Sequence, residues 1–376
     1  MFAALSALVG TLIAVNYLVN PFGAWQIRLI DPIFRSLDQY RVVSPYLVRT
    51  SHPDTLLVGN SRVVLGMQIK QVCRDGFLNG AFMGGTVAEN ARMIELALRN
   101  PALKRIVWQI DFVSFDKTLD GFADGDTEDR LYHPWLTIVP DTLLSVDALN
   151  ESWRELGRAR AGRKSLWPEQ LAPMPWPPEL IKRSIEVAPG TRLDMLPRVT
   201  LKEHVRVIVD FYRDYSLSAA TLELAAATVR KARARGVEVI LYTPPLNEYE
   251  LEGIRQTGNW ELLKRWKRQI LRLGPYSDFS GYNPVSQLDF LFTDIRHYKP
   301  AIGFPILRMV TGLSCSGCGP VAESVGASPL PMTPSDGERT LAIQDARMQA
   351  AVAVESHYSK MVAEIIAATR KESDSK

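Results

Sequence analysis

Three short segments of the chain contain the residue types that acyl transfer requires. The first is the turn Gly59-Asn60-Ser61, which directly follows a short apolar run at 55–58. A serine in a turn at the end of a strand is exposed at the carboxyl edge of the sheet, and the N–H groups of a following helix point at it. Ser61 is therefore a candidate nucleophile, although short turns of Gly, Asn and Ser are common without any such role.

Asp294 and His297 form the second segment and are three residues apart. On a tight turn or a first helical turn their side chains share a face. The carboxylate can then hold one imidazole nitrogen and fix the tautomer, while the other nitrogen accepts a serine proton. The alternative interpretation is a surface pair that caps a helix, because both residue types are commonly exposed.

The third segment, 79–86, lies between a candidate strand and a helix and contains Gly84 and Gly85. Glycine lets the backbone approach a neighbour closely, so the N–H groups of these two residues could donate to an oxyanion. The alternative is a simple turn that connects the strand to the helix.

Apolar runs alternate with helical stretches and must position these segments. Because strands that alternate with helices form parallel sheets, the pattern predicts an α/β fold with a mostly parallel sheet sandwiched by helices. Active residues of such sheets lie on loops at the carboxyl ends of the strands, where the three segments fall. The predicted strands are 55–58, 77–79, 105–112, 237–242 and 276–279, and the predicted helices are 88–98, 218–235 and 259–273.

The alternation stops between about residues 117 and 200, which we interpret as an insertion packed over or beside the sheet. This region has a plausible helix near 141–161 and a proline-dense stretch at 168–178. Its tryptophans could stack on sugar rings or pack the insertion onto the body, and the second interpretation is favoured because aromatic side chains are readily buried. These tryptophans are Trp135, Trp153, Trp167 and Trp176.

Residues 2–19 are uncharged and mostly apolar, and about 18 such residues are near the lower limit for crossing a bilayer. The segment has no basic stretch before it and no clear signal-peptidase site. We therefore predict an uncleaved membrane anchor over 1–30, with a buried core helix as the alternative. Arg28, Arg35 and Arg41 follow the segment, and the positive-inside rule alone would place the main domain in the cytoplasm.

Composition excludes some classes of function. The 376 residues have a formal charge of +3 and no basic run interleaved with aromatics, so we expect no nucleic-acid partner. Cys73, Cys315 and Cys318 cannot form a disulfide framework, and one isolated C-x-x-C pair does not indicate a zinc or redox site. We expect no metal and no cofactor. Residues 314–376 are predicted to be a linker followed by a C-terminal helix at 338–369, which could bind a partner or fray.

In this order the three segments resemble the sequence blocks of the SGNH (GDSL-like) hydrolases, and more closely the membrane-anchored SGNH-like proteins of bacterial cell-surface polysaccharide modification. The segment 59–62 is similar to the first block, 79–86 to the second and 294–297 to the last. Segments 246–268 and 277–281 also resemble stretches of the polysaccharide-associated members. The resemblance covers about residues 21–310 and implies a flavodoxin-like SGNH fold over 31–313.

The resemblance also implies roles for particular residues. Ser61 would be the nucleophile, His297 the base and Asp294 the residue that orients the base. The N–H groups of Ser61, Gly84 and Gly85 would form the oxyanion hole. Of the five histidines, only His297 has a carboxylate at the family's spacing. The implied activity is that of an esterase or O-acyltransferase, with acetyl as the expected group, acting on a cell-surface polysaccharide.

The resemblance implies a location and partners as well. The anchor would hold the domain to the membrane, with the catalytic domain on the periplasmic or extracytoplasmic side. The expected partners are the membrane, an acylated glycan and other proteins of a polysaccharide-modification complex.

Two positions depart from the family pattern. Asn60 stands where the first block usually has aspartate, and 108–112, which matches the third block, has no asparagine to donate to an oxyanion. Gln109 or Asp111 is expected near that position, and an ionised Asp111 would oppose an oxyanion. A second hypothesis is therefore a catalytically inactive SGNH-fold subunit for binding or assembly in exopolysaccharide biosynthesis or export. It predicts that Ser61 Oγ lies more than about 3.5 Å from His297.

Overall fold

The computed structural model of the chain describes residues 2–25, 27, 40–67, 76–161, 200–312 and 329–374. Several features named from the sequence lie outside these residues. They are Arg28, Arg35, Cys73, Cys315, Cys318, Trp167, Trp176, the proline-dense stretch 168–178 and most of the predicted linker, 314–328.

One mixed sheet lies at the centre of the described residues. Its strands are β1 (Thr55–Val58), β2 (Phe77–Asn79), β3 (Arg105–Gln109), β4 (Glu238–Thr243), β5 (Tyr276–Asp278) and β6 (Leu330–Met332). They lie in the order β2-β1-β3-β4-β5-β6. The first five are parallel, and β6 pairs antiparallel with β5. The order 2-1-3-4-5 of the parallel strands is one of the two common orders of doubly wound α/β folds.

The α-helices of the described residues precede, separate and follow these strands. They are α1 (Phe2–Val19), α2 (Tyr40–Thr50), α3 (Ser61–Gly66), α4 (Val87–Ala97), α5 (Gly125–Tyr132), α6 (Pro134–Thr142), α7 (Val146–Arg160), α8 (Leu201–Arg213), α9 (Ala219–Ala234), α10 (Glu248–Gln256), α11 (Trp260–Ile270), α12 (Pro300–Thr311), α13 (Gly337–Ala353) and α14 (His357–Asp374). The predicted helix 218–235 corresponds to α9, and Ser218 caps it by accepting a hydrogen bond from the N–H of Thr221 at 3.1 Å.

The two faces of the sheet are buried in different apolar clusters. Successive side chains of a strand point to opposite faces, and accordingly Leu56 belongs to one cluster and Leu57 to the other. The first cluster includes Val229 of α9, and the second includes Ile306 of α12. The prediction of an α/β fold with a mostly parallel sheet between helices is therefore confirmed.

The predicted insertion contains more helix than its sequence indicated. The helix predicted near 141–161 corresponds to α7, and two further helices, α5 and α6, precede it. Trp135 and Trp153 do not pack the insertion onto the body, because 63% and 70% of their surfaces are exposed. The favoured interpretation of the tryptophans is thus wrong for these two residues.

The C-terminal segment is part of the body of the protein, whereas we predicted a linker and one helix. β6 extends the sheet, and its Pro331 is tolerated because an edge strand needs fewer backbone donors. α13 is fixed to α11 by Asp345, which accepts a hydrogen bond from Trp260 Nε1 at 2.8 Å. α14 packs against α8 and α10, and Tyr358 OH donates to the carbonyl of Gln287 at 3.0 Å.

Candidate active site

The turn after β1 presents Ser61 as the first residue of α3. Asn60 caps this helix, because its Oδ1 accepts a hydrogen bond from the N–H of Arg62 at 3.0 Å. The turn is tight enough to require glycine at position 59. A Cβ atom there would lie 2.5 Å from Cγ2 of Val63. Local sequence alone thus places the serine hydroxyl at the carboxyl edge of the sheet.

Asp294 and His297 lie on a closed loop rather than on a helix. Phe292 and Tyr298 pair as an antiparallel bridge at the base of the loop, and the N–H of Thr293 donates to the carbonyl of His297 at 2.8 Å. Within the loop, Oδ1 of Asp294 accepts hydrogen bonds from the N–H groups of residues 296 and 297 at 2.8 and 2.9 Å. These hydrogen bonds fix the orientation of the Asp294 carboxylate independently of its contact with the imidazole.

The fold brings the three predicted residues into one hydrogen-bonded series. Nε2 of His297 is 2.8 Å from Oγ of Ser61, and Nδ1 of His297 is 2.7 Å from Oδ2 of Asp294. Both distances lie within the range for proton transfer or orientation. With Asp294 ionised, Nδ1 carries the imidazole proton and donates it to the carboxylate, so Nε2 is free to accept from the serine.

The charge on Asp294 is well stabilised. Burial alone would raise the pKa of its carboxyl group. The hydrogen bond from the His297 side chain, the charge of His297 and the backbone N–H groups of residues 296 and 297 outweigh that effect and lower the pKa to about 2. Asp294 is therefore a carboxylate throughout the neutral range. The side chain of His297 remains 18% exposed, which leaves the reacting nitrogen open to a substrate.

A close contact between α3 and α12 sets the position of the histidine loop relative to the serine. A Cβ atom on Gly303 would lie 1.9 Å from the carbonyl oxygen of Gly66, and a Cβ atom on Gly66 would lie 2.1 Å from the ring of Tyr298. Only glycine fits at both positions. Tyr298 is the neighbour of His297, so this contact fixes the base close to the helix that begins with the nucleophile.

The predicted oxyanion donors differ in availability. The N–H of Gly85 donates to the carbonyl of Phe82 at 3.1 Å, and a Cβ atom on Gly85 would lie 2.7 Å from the carbonyl oxygen of Gly59. Gly85 thus serves close packing between the second segment and the serine turn. Gly84 is exposed with a φ of +63°. Among the described residues, neither its N–H nor that of Ser61 has a hydrogen-bond acceptor.

An ion-pair network that the sequence analysis missed lies beneath the serine turn. Arg62 is 2% exposed, and its guanidinium pairs with Asp111 at 3.2 Å and with Glu250. Tyr212 OH donates to Glu250 at 2.9 Å. Burial raises the pKa of Asp111, while Arg62 opposes that rise. Burial alone would lower the pKa of Arg62, but the two carboxylates outweigh it and raise that pKa.

The contacts of Asp111 bear on the expectation that its charge would oppose an oxyanion. One oxygen of its carboxylate accepts from Arg62 at 3.3 Å and the other from Nδ2 of Asn60 at 2.7 Å. Asp111 is therefore a paired buried group and not an isolated negative charge in the site. Asn60, the other departure from the family pattern, joins this network through its amide nitrogen.

Gln109, the second candidate for the third block, connects the serine turn to the histidine loop. Its Nε2 donates to Oδ1 of Asn60 at 3.0 Å, and its Oε1 accepts from Tyr298 OH at 3.0 Å. The side chain is 3% exposed. Because Asn60 and Tyr298 are the sequence neighbours of the nucleophile and the base, Gln109 is suited to hold the two in register.

Among the described residues, no group of three or more His, Cys, Asp or Glu side chains is arranged to hold a metal ion. Comparison of the chain with protein-family models and with curated proteins found no match to either.

Proposed function

We propose that the protein is a serine esterase or O-acyltransferase of the SGNH type, with acetyl groups of a cell-surface polysaccharide as its substrate class. The observation that carries the proposal is the hydrogen-bonded series Ser61–His297–Asp294, with links of 2.8 and 2.7 Å. The serine and the histidine are 236 positions apart in the sequence. The strand order 2-1-3-4-5 and the position of the serine turn at the carboxyl edge of the sheet also support it.

The chemistry follows from these contacts. Oγ of Ser61 attacks the ester carbonyl carbon while its proton passes to Nε2 of His297. The negative charge that forms on the carbonyl oxygen is stabilised by the N–H groups of Ser61 and Gly84. The tetrahedral intermediate then expels the sugar alkoxide, which takes the proton from Nε2, and an acyl-serine remains.

The second half of the reaction uses the same groups. Water, or a hydroxyl of an acceptor sugar, gives its proton to Nε2 and attacks the acyl-serine. Breakdown of the second intermediate releases the acyl product and returns the proton to Oγ of Ser61. Asp294 stays ionised and holds the imidazolium that forms in each half. The reaction requires no redox partner, and the acceptor alone decides between hydrolysis and acyl transfer.

The choice of substrate class rests on the resemblance and on the N-terminal helix. α1 is 18 residues long with a mean hydropathy of 2.0, sufficient by length and composition to cross a membrane. Its Asn16 is fully buried and hydrogen-bonded to the insertion, which supports an anchor that stays with the domain. We propose, on the resemblance alone, that the catalytic domain lies on the extracytoplasmic side.

The second candidate function is an inactive subunit for binding or assembly. That hypothesis predicts a separation of more than about 3.5 Å between Ser61 and His297. The observed 2.8 Å favours the catalytic proposal. The absence of an asparagine from the third block favours the inactive subunit, because losing one oxyanion donor costs about a hundredfold in rate.

Hydrolysis of p-nitrophenyl acetate by the full-length protein in detergent tests the proposal. We expect turnover by the wild type and a loss to background in Ser61→Ala and His297→Ala. The exposed His133 provides a matched control, and His133→Ala should retain the wild-type rate. Equal rates in all four proteins would remove the nucleophile assignment and favour the inactive subunit.

A further inference from the structure

The insertion exposes a set of large apolar side chains that the proposed chemistry does not use. They lie on α6, on the turn that follows it, and on α7, and we call them the insertion apolar surface. Soluble proteins rarely leave large contiguous apolar patches exposed without a partner. The members are Trp135 (63% exposed), Leu136 (55%), Val139 (42%), Leu144 (45%), Val146 (68%) and Trp153 (70%).

This surface is tied to α1 by the one buried polar side chain of that helix, Asn16. Nδ2 of Asn16 donates to the carbonyl oxygens of Leu143 and Ser145 at 3.1 and 3.5 Å. Its Oδ1 accepts from Oγ of Ser152 at 3.0 Å. A buried amide in an apolar helix must find such partners, so the turn between α6 and α7 accompanies α1 wherever α1 lies.

Three members of the surface are sequence neighbours of these partners. Leu144 lies between the two residues whose carbonyls accept from Asn16, Val146 follows the second, and Trp153 follows the serine. The end of α6 is attached to the segment that follows α1, because Trp25 Nε1 donates a hydrogen bond to Oγ1 of Thr142 at 3.2 Å. Part of the insertion apolar surface therefore directly adjoins, along the chain, the residues that contact α1.

The dimensions place this contact at the boundary of a bilayer. An 18-residue helix is about 27 Å long, and the hydrocarbon core is about 30 Å thick. If α1 fills that core, its carboxyl end lies at the boundary. Asn16 is one helical turn before that end, so the residues bound to it lie at nearly the same depth. The side chains of the other end of α1 are exposed and apolar, as lipid contact requires, with Phe2 83% and Leu8 68% exposed.

We propose that the insertion apolar surface is embedded in the interfacial region of the lipid bilayer beside α1. The proposal rests on α1 being the membrane anchor of the proposed function. Trp135 and Trp153 fit this partner, since tryptophan is enriched where the hydrocarbon meets the headgroups. The catalytic domain is then held against the membrane in one orientation and does not swing on a tether.

Nitroxide labels in the full-length protein test the embedding. Single cysteines replace Val139 and Val146 in a background with Cys73, Cys315 and Cys318 changed to serine. The protein is inserted in vesicles of phosphatidylcholine and phosphatidylglycerol. Collision of each label with oxygen, which concentrates in the bilayer, is compared with collision with a water-soluble nickel chelate. Val207 on α8 and Val354 just before α14, which are 55% and 76% exposed and lie outside the insertion, provide matched controls.

We expect the oxygen-to-nickel ratio at positions 139 and 146 to be severalfold above that of the two control valines, and close to that of a label replacing Leu8. Ratios equal to those of the controls, with Leu8 still in the bilayer, would overturn the proposal. Low collision with both reagents would also overturn it, because a second copy of the chain or a glycan would then cover the surface. A water-exposed Leu8 label would refute the anchor itself.

The experiment separates this inference from the catalytic proposal. The labelled positions lie outside the residues to which we assign catalysis, so each variant should hydrolyse p-nitrophenyl acetate at the wild-type rate. Thermal unfolding of each variant shows whether the fold is intact. Activity without embedding would refute the membrane surface alone, and embedding without activity would refute the esterase alone.

Discussion

Gly303 offers a way to move the proposed base without touching any reacting group. In the structure a Cβ atom on Gly303 would lie 1.9 Å from the carbonyl oxygen of Gly66. The optimal separation of two non-bonded heavy atoms is about 3.5 Å, so Gly303→Ala must separate α12 from α3 by about 1.5 Å. The loop with His297 leads directly into α12, and we expect it to move with the helix.

The separation should break the contact between base and nucleophile. Nε2 of His297 is now 2.8 Å from Oγ of Ser61. Adding most of the helix displacement to this distance puts Nε2 about 4 Å from Oγ. That is beyond the limit of about 3.2 Å for a good hydrogen bond. A misplacement of about 1 Å typically costs about a hundredfold in rate. We therefore expect kcat/KM of Gly303→Ala for p-nitrophenyl acetate to fall by about two orders of magnitude.

Gly157→Ala is the matched control, because a Cβ atom at this position in α7 meets no atom within 4 Å. It should retain the wild-type kcat/KM. Thermal unfolding of both variants establishes that each is folded at the assay temperature. A folded Gly303→Ala with the wild-type rate would refute the idea that the contact between α3 and α12 sets the distance between serine and histidine.

Three further predictions concern the groups around the base. Asp294→Asn should lower kcat by about 10⁴-fold with little change in KM, because the imidazole loses its tautomer and orientation; steady-state kinetics with p-nitrophenyl acetate would measure this, and a loss below tenfold would contradict it. The pKa of Asp294 is lowered in the folded protein to about 2, so the carboxylate contributes about 2 kcal/mol to stability above pH ~4. That contribution is lost as the pH falls towards 2, and the gap in unfolding free energy between wild type and Asp294→Asn should close over the same range; a constant gap would disprove the linkage. Gln109→Leu should cost about 1–3 kcal/mol in urea unfolding, because Tyr298 OH and Asn60 Oδ1 lose a buried partner, and it should also lower kcat. An unchanged kcat in that variant would limit Gln109 to stability.

Much of the fold and the three candidate catalytic residues could be predicted from local sequence. The strands β1, β3 and β4 contain short apolar runs, and β1 ends at the turn of small and polar residues that includes Ser61. The turn at Ser61 needs only its own residues, since Asn60 caps the helix and Gly59 allows the tight bend. Asp294 and His297 are three positions apart, so their contact is also local.

The parts that could not be predicted depend on residues far apart in the chain. Arg62 pairs with Glu250, 188 positions away, and nothing in the local pattern of either residue indicates a buried ion pair. The contact of Gly66 with Gly303 exists only after α3 and α12 have packed. The short helices of the insertion have no long apolar period, and they leave Trp135 and Trp153 exposed where burial was the favoured interpretation.

Covalent labelling of the full-length protein with a fluorophosphonate tests the central claim most directly. A serine displaces fluoride from such a reagent rapidly only when a neighbouring base accepts its proton, so no natural acyl donor or acceptor is needed. We predict one adduct, located on Ser61 by peptide mass spectrometry, that is lost in His297→Ala and retained in His133→Ala. No adduct on Ser61, or an adduct that forms equally fast in His297→Ala, would contradict a catalytic serine activated by His297.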